Sequence, residues 1–149
     1  MKNFYLLLKI IIIYLFLFIN VEAKQQNYLN EGIKLFQKEE FKKSKILFEK
    51  DLVFNPKSEK SYLYLAKIYY NNSDAEQQEI NLNNVLLLNP KNDEAIYMLT
   101  LLKIKQSDYN QAMKLIDKFV LVCESFCSKE NEMREKFKKL IPENAKSND

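Results

Sequence analysis

The chain has 149 residues, 47% hydrophobic and 29% charged, a balance typical of a folded globular protein rather than a disordered one. One glycine and three prolines are too few turn residues for an all-β fold, and they favour long helices with short connections. The net charge of +3 is small and no basic block appears, so nucleic acid is not expected as a partner.

The composition also leaves little for catalytic chemistry. The chain has no histidine, which removes Ser-His-Asp and Cys-His sites, the HExxH zinc motif and the usual base at neutral pH. A single glycine cannot form a phosphate-cradling loop or a dinucleotide fingerprint. Paired carboxylates such as Glu39-Glu40 and Asp93-Glu94 fall at helix boundaries, where solvated turns account for them. We therefore expect no enzyme, no cofactor and no metal site.

Residues 1–23 have the pattern of an export signal. A short positive start precedes an apolar run from Phe4 to Ile19, which only Lys9 interrupts. Ala23, with Val21 two residues before it, gives the small-x-small cleavage pattern. The sequence predicts a signal peptide and an extracytoplasmic mature chain, periplasmic or secreted. The alternative is an uncleaved anchor over residues 4–19, a run of 16 residues against the ~20 that span a bilayer. Membrane contact is expected only through this segment.

Residues 24–56 predict a helical hairpin. Apolar residues at helical spacing are followed by a polar break and a second amphipathic stretch, which ends at Asn55-Pro56 because the residue before proline avoids the helical region. Gly32, the only glycine, lies inside the first helix, where it costs about 1 kcal/mol against alanine. That cost is tolerable if the missing side chain lets a second helix approach closely.

The same pattern recurs with an offset of 34 residues. Pro56 and Pro90 are 34 positions apart, and the apolar residues ahead of them align at that offset. The second unit covers residues 57–90, and Ser73 or Asp74 is predicted to cap its second helix. A third unit over residues 91–124 keeps the register but lacks the closing proline.

These units resemble the tetratricopeptide repeat, a 34-residue helix–turn–helix with an aromatic fourth position, a small eighth position and a proline near its end. The matching eighth positions are Gly32, Ala66 and Thr100. The twentieth positions, which should also be small, are Ser44, Gln78 and Ala112, so Gln78 departs from the pattern, as do Glu31 and Asp51 at their own positions. The resemblance implies an all-α fold, a right-handed α-solenoid of three hairpins with a C-terminal capping helix.

The resemblance also implies a binding site. In such stacks the first helices line a concave groove that receives an extended peptide or a partner helix. Carried over by position, the groove residues are Leu29, Ile33, Phe36, Leu63, Lys67, Tyr70, Tyr97, Leu101 and Lys105. An alternative reading places half of them in the core. Some family members clamp a terminal carboxylate with lysine and asparagine, but Leu29 and Ile33 stand at two of those positions, so that activity is not transferred.

The expected function is therefore a non-catalytic protein–protein interaction module, exported or membrane-tethered, acting in cell-envelope assembly. The partner would be another protein or a peptide. The alternative is a structural or self-associating protein without a specific peptide ligand.

Cys123 and Cys127 are the only cysteines. An exported chain permits a disulfide between them, and the alternatives are two buried thiols or redox chemistry. Two thiolates without a histidine make a poor zinc site. Residues 125–141 predict the capping helix, with Ser128 at its start, acids in its first turn and lysines in its last. Residues 142–149 are predicted to be a disordered tail.

Overall fold

A computed structural model of the protein describes residues 27–140. Within that range the regular structure is entirely helical and contains no strand, so the predicted all-α class is confirmed. No helix there is long and apolar enough to cross a membrane. The predicted signal or anchor over residues 1–23 and the predicted tail over residues 142–149 lie outside the described residues.

Seven α-helices and one short 3-10 turn make up the described range. They are α1 (27–37), α2 (Phe41–Phe54), α3 (Glu59–Asn71), α4 (Ala75–Leu88), α5 (Asp93–Lys105), α6 (Tyr109–Val122), the 3-10 turn (Cys127–Lys129) and α7 (Glu130–Leu140). The first six helices follow one another as three helix–turn–helix units. The chain divides into two compact units, of which the first ends at Ser61 and the second begins at Tyr62.

The link inside each hairpin is the same turn three times. Its central residues, Glu39, Ser73 and Ser107, have φ angles of 60°, 59° and 61° and lie 34 positions apart. In each turn the next backbone N–H bonds to a carbonyl five residues back, at 2.9 Å. This is the Schellman motif, which ends a helix and usually places glycine at the positive φ because a Cβ disfavours it. Here glutamate and serine take that position.

The residue after the positive φ stands at the N-cap of the second helix of the hairpin. Asp74 and Asp108 each accept a hydrogen bond at 3.1 Å from the backbone N–H three residues on. The predicted cap is therefore Asp74, while Ser73 takes the positive φ. In the first hairpin the equivalent residue is Glu40, which makes no such cap and instead forms an ion pair with Lys43 at 2.5 Å.

The small eighth position of the repeat lets the two helices of a hairpin meet. A Cβ added to Gly32 would lie 2.7 Å from Cε1 of Phe48, whose side chain is fully buried. Ser44 Oγ donates a hydrogen bond to the carbonyl oxygen of Gly32 at 2.9 Å. Gly32 therefore serves the close approach that the sequence suggested, since Phe48 occupies the space of the missing side chain.

The departures from the repeat pattern at Asp51 and Gln78 are both buried. Asp51 Oδ2 accepts from Ser61 Oγ at 2.5 Å, and Ser58 Oγ donates to Ser61 Oγ at 3.0 Å. Burial of this carboxylate is tolerable because a hydroxyl partner comes with it. Within residues 27–140, no buried side-chain nitrogen or oxygen lacks a hydrogen-bond partner.

Helix α7 packs on the last hairpin. Met133 and Phe137 join a buried cluster with residues of α5 and α6, among them Ile96, Ile104 and Phe119. Its first turn is acidic and its last turn carries lysines, as predicted. The predicted cap at Ser128 is wrong, because Ser128 lies inside the 3-10 turn and α7 begins two residues later.

Candidate functional site

The compact unit that begins at Tyr62 contains an open cavity of about 800 Å³, a volume within the range of ligand sites in proteins. Its walls come from the end of α3 and the turn after it, from the start of α4, from α5 and from α7. The lining residues are Tyr70, Ser73, Ala75, Gln78, Tyr97, Met98, Leu101, Leu102, Ile104, Lys105, Ser107, Lys136 and Lys139.

Four of the predicted groove residues meet in this cavity, namely Tyr70, Tyr97, Leu101 and Lys105. Tyr70 is 62% exposed, so it is accessible to a ligand. Apolar and polar side chains line the cavity together, as in most protein-binding grooves.

The other predicted residues lie elsewhere. Leu63 is 9% exposed and packs in the core of the second unit with Ala66 and Leu82. Lys67 forms an ion pair with Glu94 at 2.8 Å. Three belong to the first unit, on α1, where all are half-buried: Leu29, Ile33 and Phe36.

Lys136 and Lys139, both on α7, are among the lining residues that the predicted groove did not include. The repeat pattern predicts a groove lined by the first helices of three repeats, and it predicts the last helix only as a cap. The available signal was the continuation of the repeat order, because an element that follows a second helix stands where another first helix would stand. That rule would have placed the outward side chains of α7 in the groove.

A hydrogen-bonded network holds α7 against α5. Glu132 Oε1 accepts from Lys136 Nζ at 2.8 Å and from the hydroxyl of Tyr97 at 3.0 Å, and Oε2 accepts from Lys129 Nζ at 3.0 Å. The lysines, with Lys136 first, and the Tyr97 hydroxyl hold the pKa of Glu132 at about 2. Burial and this same carboxylate raise the pKa of Tyr97. The network fixes Lys136 at the cavity wall.

The cavity is cationic. Lys105, Lys136 and Lys139 line it, and within the described part of the chain no carboxylate does. Within residues 27–140, neither Lys105 nor Lys139 has a carboxylate oxygen within the 4.0 Å of an ion pair. Of the acids that the structure describes, only Glu132 pairs with a lining lysine, Lys136, and Lys129 shares this carboxylate.

A second polar feature secures the segment before α7. The structure joins Cys123 and Cys127 in a disulfide with Cα atoms 5.2 Å apart, and Cys127 is exposed, unlike the alternative of two buried thiols. The loop inside the bond donates three backbone N–H groups, from residues 124, 125 and 126, to Asp93 Oδ2 at 2.9, 2.6 and 2.9 Å.

The environment of Asp93 differs from the solvated turn expected from the sequence. Burial alone would raise its pKa, but the backbone N–H groups outweigh burial and the pKa is lowered. The carboxylate is therefore the anchor that ties the disulfide loop to the first turn of α5. Within residues 27–140 no group of histidine, cysteine or acidic side chains could hold a metal ion.

Comparison with known proteins defines the fold. No protein-family model matches the sequence, and no curated protein matches it significantly. A tetratricopeptide repeat protein from Parabacteroides merdae superposes with a TM-score of 0.71 at 22% identity, over 78% of this chain and 45% of that one. This chain thus spans less than half the length of that protein.

Two isolated domains superpose equally well. The first tetratricopeptide-repeat domain of Spaghetti, solved with the HSP90 peptide SRMEEVD, gives a TM-score of 0.70 at 16% identity, over 79% of this chain and 94% of that one. The corresponding domain of Arabidopsis OM64 gives 0.72 at 16% identity, over 82% of this chain and 99% of that one. The protein therefore has the tetratricopeptide-repeat fold, as the resemblance implied.

Proposed function

We propose that the chain is a non-catalytic interaction module that binds a peptide or a partner helix in the cavity of the compact unit that begins at Tyr62. The observation that carries the proposal is the convergence of Tyr70, Tyr97, Leu101 and Lys105 on one open cavity of about 800 Å³. A fold that acts as a peptide-binding scaffold in the Spaghetti domain supports the same use here.

A second part of the proposal concerns the location of the protein in the cell. We infer export or membrane tethering from the apolar run over residues 4–19 and the small residues before Lys24, and with it a role in cell-envelope assembly. The disulfide between Cys123 and Cys127 supports an oxidising compartment, since such bonds rarely persist in the cytosol.

Peptide selection tests the binding role. A random dodecapeptide library would be selected against the full chain in mild detergent, and the affinities of the selected peptides measured by fluorescence anisotropy. Tyr70→Ala and Leu101→Ala should weaken binding about tenfold or more, because aromatic and aliphatic anchors dominate such interfaces. Leu121→Ala is the matched control, because Leu121 is 84% exposed and does not line the cavity. Unchanged affinity of the selected peptides for both cavity variants would refute the proposal.

A second candidate function, self-association, has its own observation. Val53, Leu87 and Leu121 hold the same repeat position and are 76%, 80% and 84% exposed. Exposed apolar side chains at one recurring position suit contact with another chain. Analytical ultracentrifugation distinguishes the two candidate functions. The double variant Leu87→Glu, Leu121→Glu should dissociate any oligomer and leave peptide binding unchanged.

A further inference from the structure

This inference rests on the proposed function. The charge of the cavity restricts the class of peptide that it can be expected to bind. We propose that the cavity binds an acidic segment of a partner protein, one that carries an aromatic or aliphatic anchor between its carboxylates. Helix α7 is the element that sets this preference, through Lys136 and Lys139.

The first step is the unbalanced charge. Among residues 27–140, three lysines line the cavity and no acidic side chain does. Glu132 offsets Lys136 but is shared with Lys129, so these three side chains together still carry one positive charge. A cleft lined by one sign of charge attracts ligands of the opposite sign. Lys105 and Lys139, which have no ion-pair partner within residues 27–140, are the groups that a ligand carboxylate would meet.

The second step is the placement of the lysines. Glu132 binds Tyr97 of α5 and Lys136 of α7 through the same oxygen, Oε1, which positions Lys136 beside the aromatic wall of the cavity. Lys139 lies three residues further along the same helix, on the same face. Lys105 comes from the last turn of α5. The cationic groups therefore come from two helices, and a short extended segment can contact both.

The third step is the floor, which favours a polypeptide over a nucleic acid. Met98, Leu101, Leu102 and Ile104 line the cavity together with the two tyrosines. Aliphatic side chains of this kind accept a leucine or a phenylalanine of the ligand, whereas single-stranded nucleic acids require stacking platforms along a continuous basic track. The ligand is therefore expected to alternate apolar anchors with carboxylates.

The test uses three fluorescein-labelled dodecapeptides with identical leucine and tyrosine positions and either glutamate, glutamine or lysine at the remaining ones. A labelled single-stranded dodecanucleotide is the fourth probe. Each is titrated against the full chain in mild detergent at low and at physiological salt. The glutamate peptide should bind about tenfold or more tightly than the lysine peptide, and salt should reduce that preference.

Charge reversal on α7 supplies the matched control. Lys139→Glu should lower the affinity for the glutamate peptide about tenfold and raise that for the lysine peptide. Lys138→Glu, next to it on the same helix, should change neither, because Lys138 does not line the cavity and pairs with Glu135 at 3.3 Å. Circular dichroism would confirm that both variants keep their helical content.

The outcomes separate this inference from the proposed function. If the three peptides bind with equal affinity and Tyr70→Ala lowers the affinity for all of them, the acidic preference is overturned and the proposed peptide binding is retained. Equal effects of Lys138→Glu and Lys139→Glu overturn it too, since the attraction would then be diffuse. If the oligonucleotide bound more tightly than all three peptides, the ligand would be a nucleic acid and the inference would be overturned. Failure of every peptide, including library-selected ones, would refute the proposed function itself.

Discussion

At the scale of single residues, the pairing of Gly32 with Phe48 explains how one repeat tolerates a larger side chain than its neighbours. The equivalent pairs 34 and 68 positions later are Ala66 with Leu82 and Thr100 with Ile116. Where the residue at the eighth position is larger than glycine, an aliphatic residue takes the place of phenylalanine at the equivalent position of the second helix. Such an exchange suits a closely packed interior, in which added volume at one position destabilises unless volume is removed beside it.

This compensation predicts that Gly32→Ala destabilises the protein. Alanine gains about 1 kcal/mol in helix propensity, but a Cβ 2.7 Å from the Phe48 ring overpacks the core, at about 1–3 kcal/mol. We expect a net loss of ~1 kcal/mol in the free energy of unfolding, measured by urea denaturation with circular dichroism.

The matched variant is Gly32→Ala with Phe48→Leu, which reproduces the Ala66–Leu82 pair. It should be more stable than the sum of the single substitutions by about 1 kcal/mol. A Gly32→Ala chain more stable than the wild type would show that the Phe48 ring moves aside freely.

Single residues also mark the limit of sequence reasoning. The cap at Asp74 was predictable because a short acidic side chain before an amphipathic run has one common role. The positive φ at Glu39, Ser73 and Ser107 was not, since glycine is the usual signal of that conformation and this chain has a single glycine elsewhere. The partner of Asp93 was equally hidden, because the N–H groups that bind it lie 31 to 33 residues away.

At the scale of secondary-structure elements, α7 depends on two attachments that differ in chemistry. One is the Glu132 network with Tyr97, Lys129 and Lys136. The other is the disulfide loop held by Asp93. Each can be removed without touching the apolar contacts of Met133 and Phe137, so their contributions can be measured separately.

The first attachment predicts a dependence on acid. The pKa of Glu132 is lowered from 4.5 to about 2 in the fold, so its stabilisation is complete above pH 4.5 and is lost as the pH falls toward 2. Hydrogen exchange of α7 amides should accelerate over that window. Glu132→Gln should remove this part of the pH dependence, while Glu135→Gln, an exposed acid on the same helix, should retain it. Identical pH profiles for the wild type and Glu132→Gln would contradict the assignment.

The second attachment predicts a dependence on redox state. A dithiol reductant that opens the Cys123–Cys127 bond should speed hydrogen exchange at residues 124–126 and then along α7, because a closed loop restricts the unfolded states of the segment. Cys123→Ser with Cys127→Ser should behave like the reduced protein, and the reductant should leave that variant unchanged. Unaltered exchange in both would mean that Asp93 alone holds the loop.

At the scale of the whole molecule, the 34-residue period was the most informative property of the sequence. It placed the three hairpins because an apolar pattern repeated in register constrains many residues at once. The position of α7 at the cavity does not follow from the 34-residue alignment itself, which ends with the third hairpin. It follows from the order of the helices, which puts α7 where another first helix would stand.

Export remains a prediction at this scale, and it has a direct measurement. Cleavage after Ala23 would give a mature chain that begins at Lys24, and mass spectrometry of the protein from its native source identifies that residue. The mature chain should fractionate outside the cytoplasm, with Cys123 and Cys127 resistant to alkylation before reduction. An intact N terminus in the membrane fraction would establish the anchor instead, and an intact N terminus in the cytosolic fraction would end the export hypothesis.

The repeated turn also governs how such a chain can change in length. From Glu59 onward, a helix of 13 residues, a link of three, a helix of 14 and a link of four complete a 34-residue period, and α5 and α6 repeat these helix lengths. Duplication of residues 59–92 in frame would add one hairpin whose turn, caps and facing residues already suit one another. Loss of a single residue inside a helix would instead rotate the side chains after it by about 100° relative to those before it. The architecture thus tolerates growth by whole modules and resists small insertions and deletions.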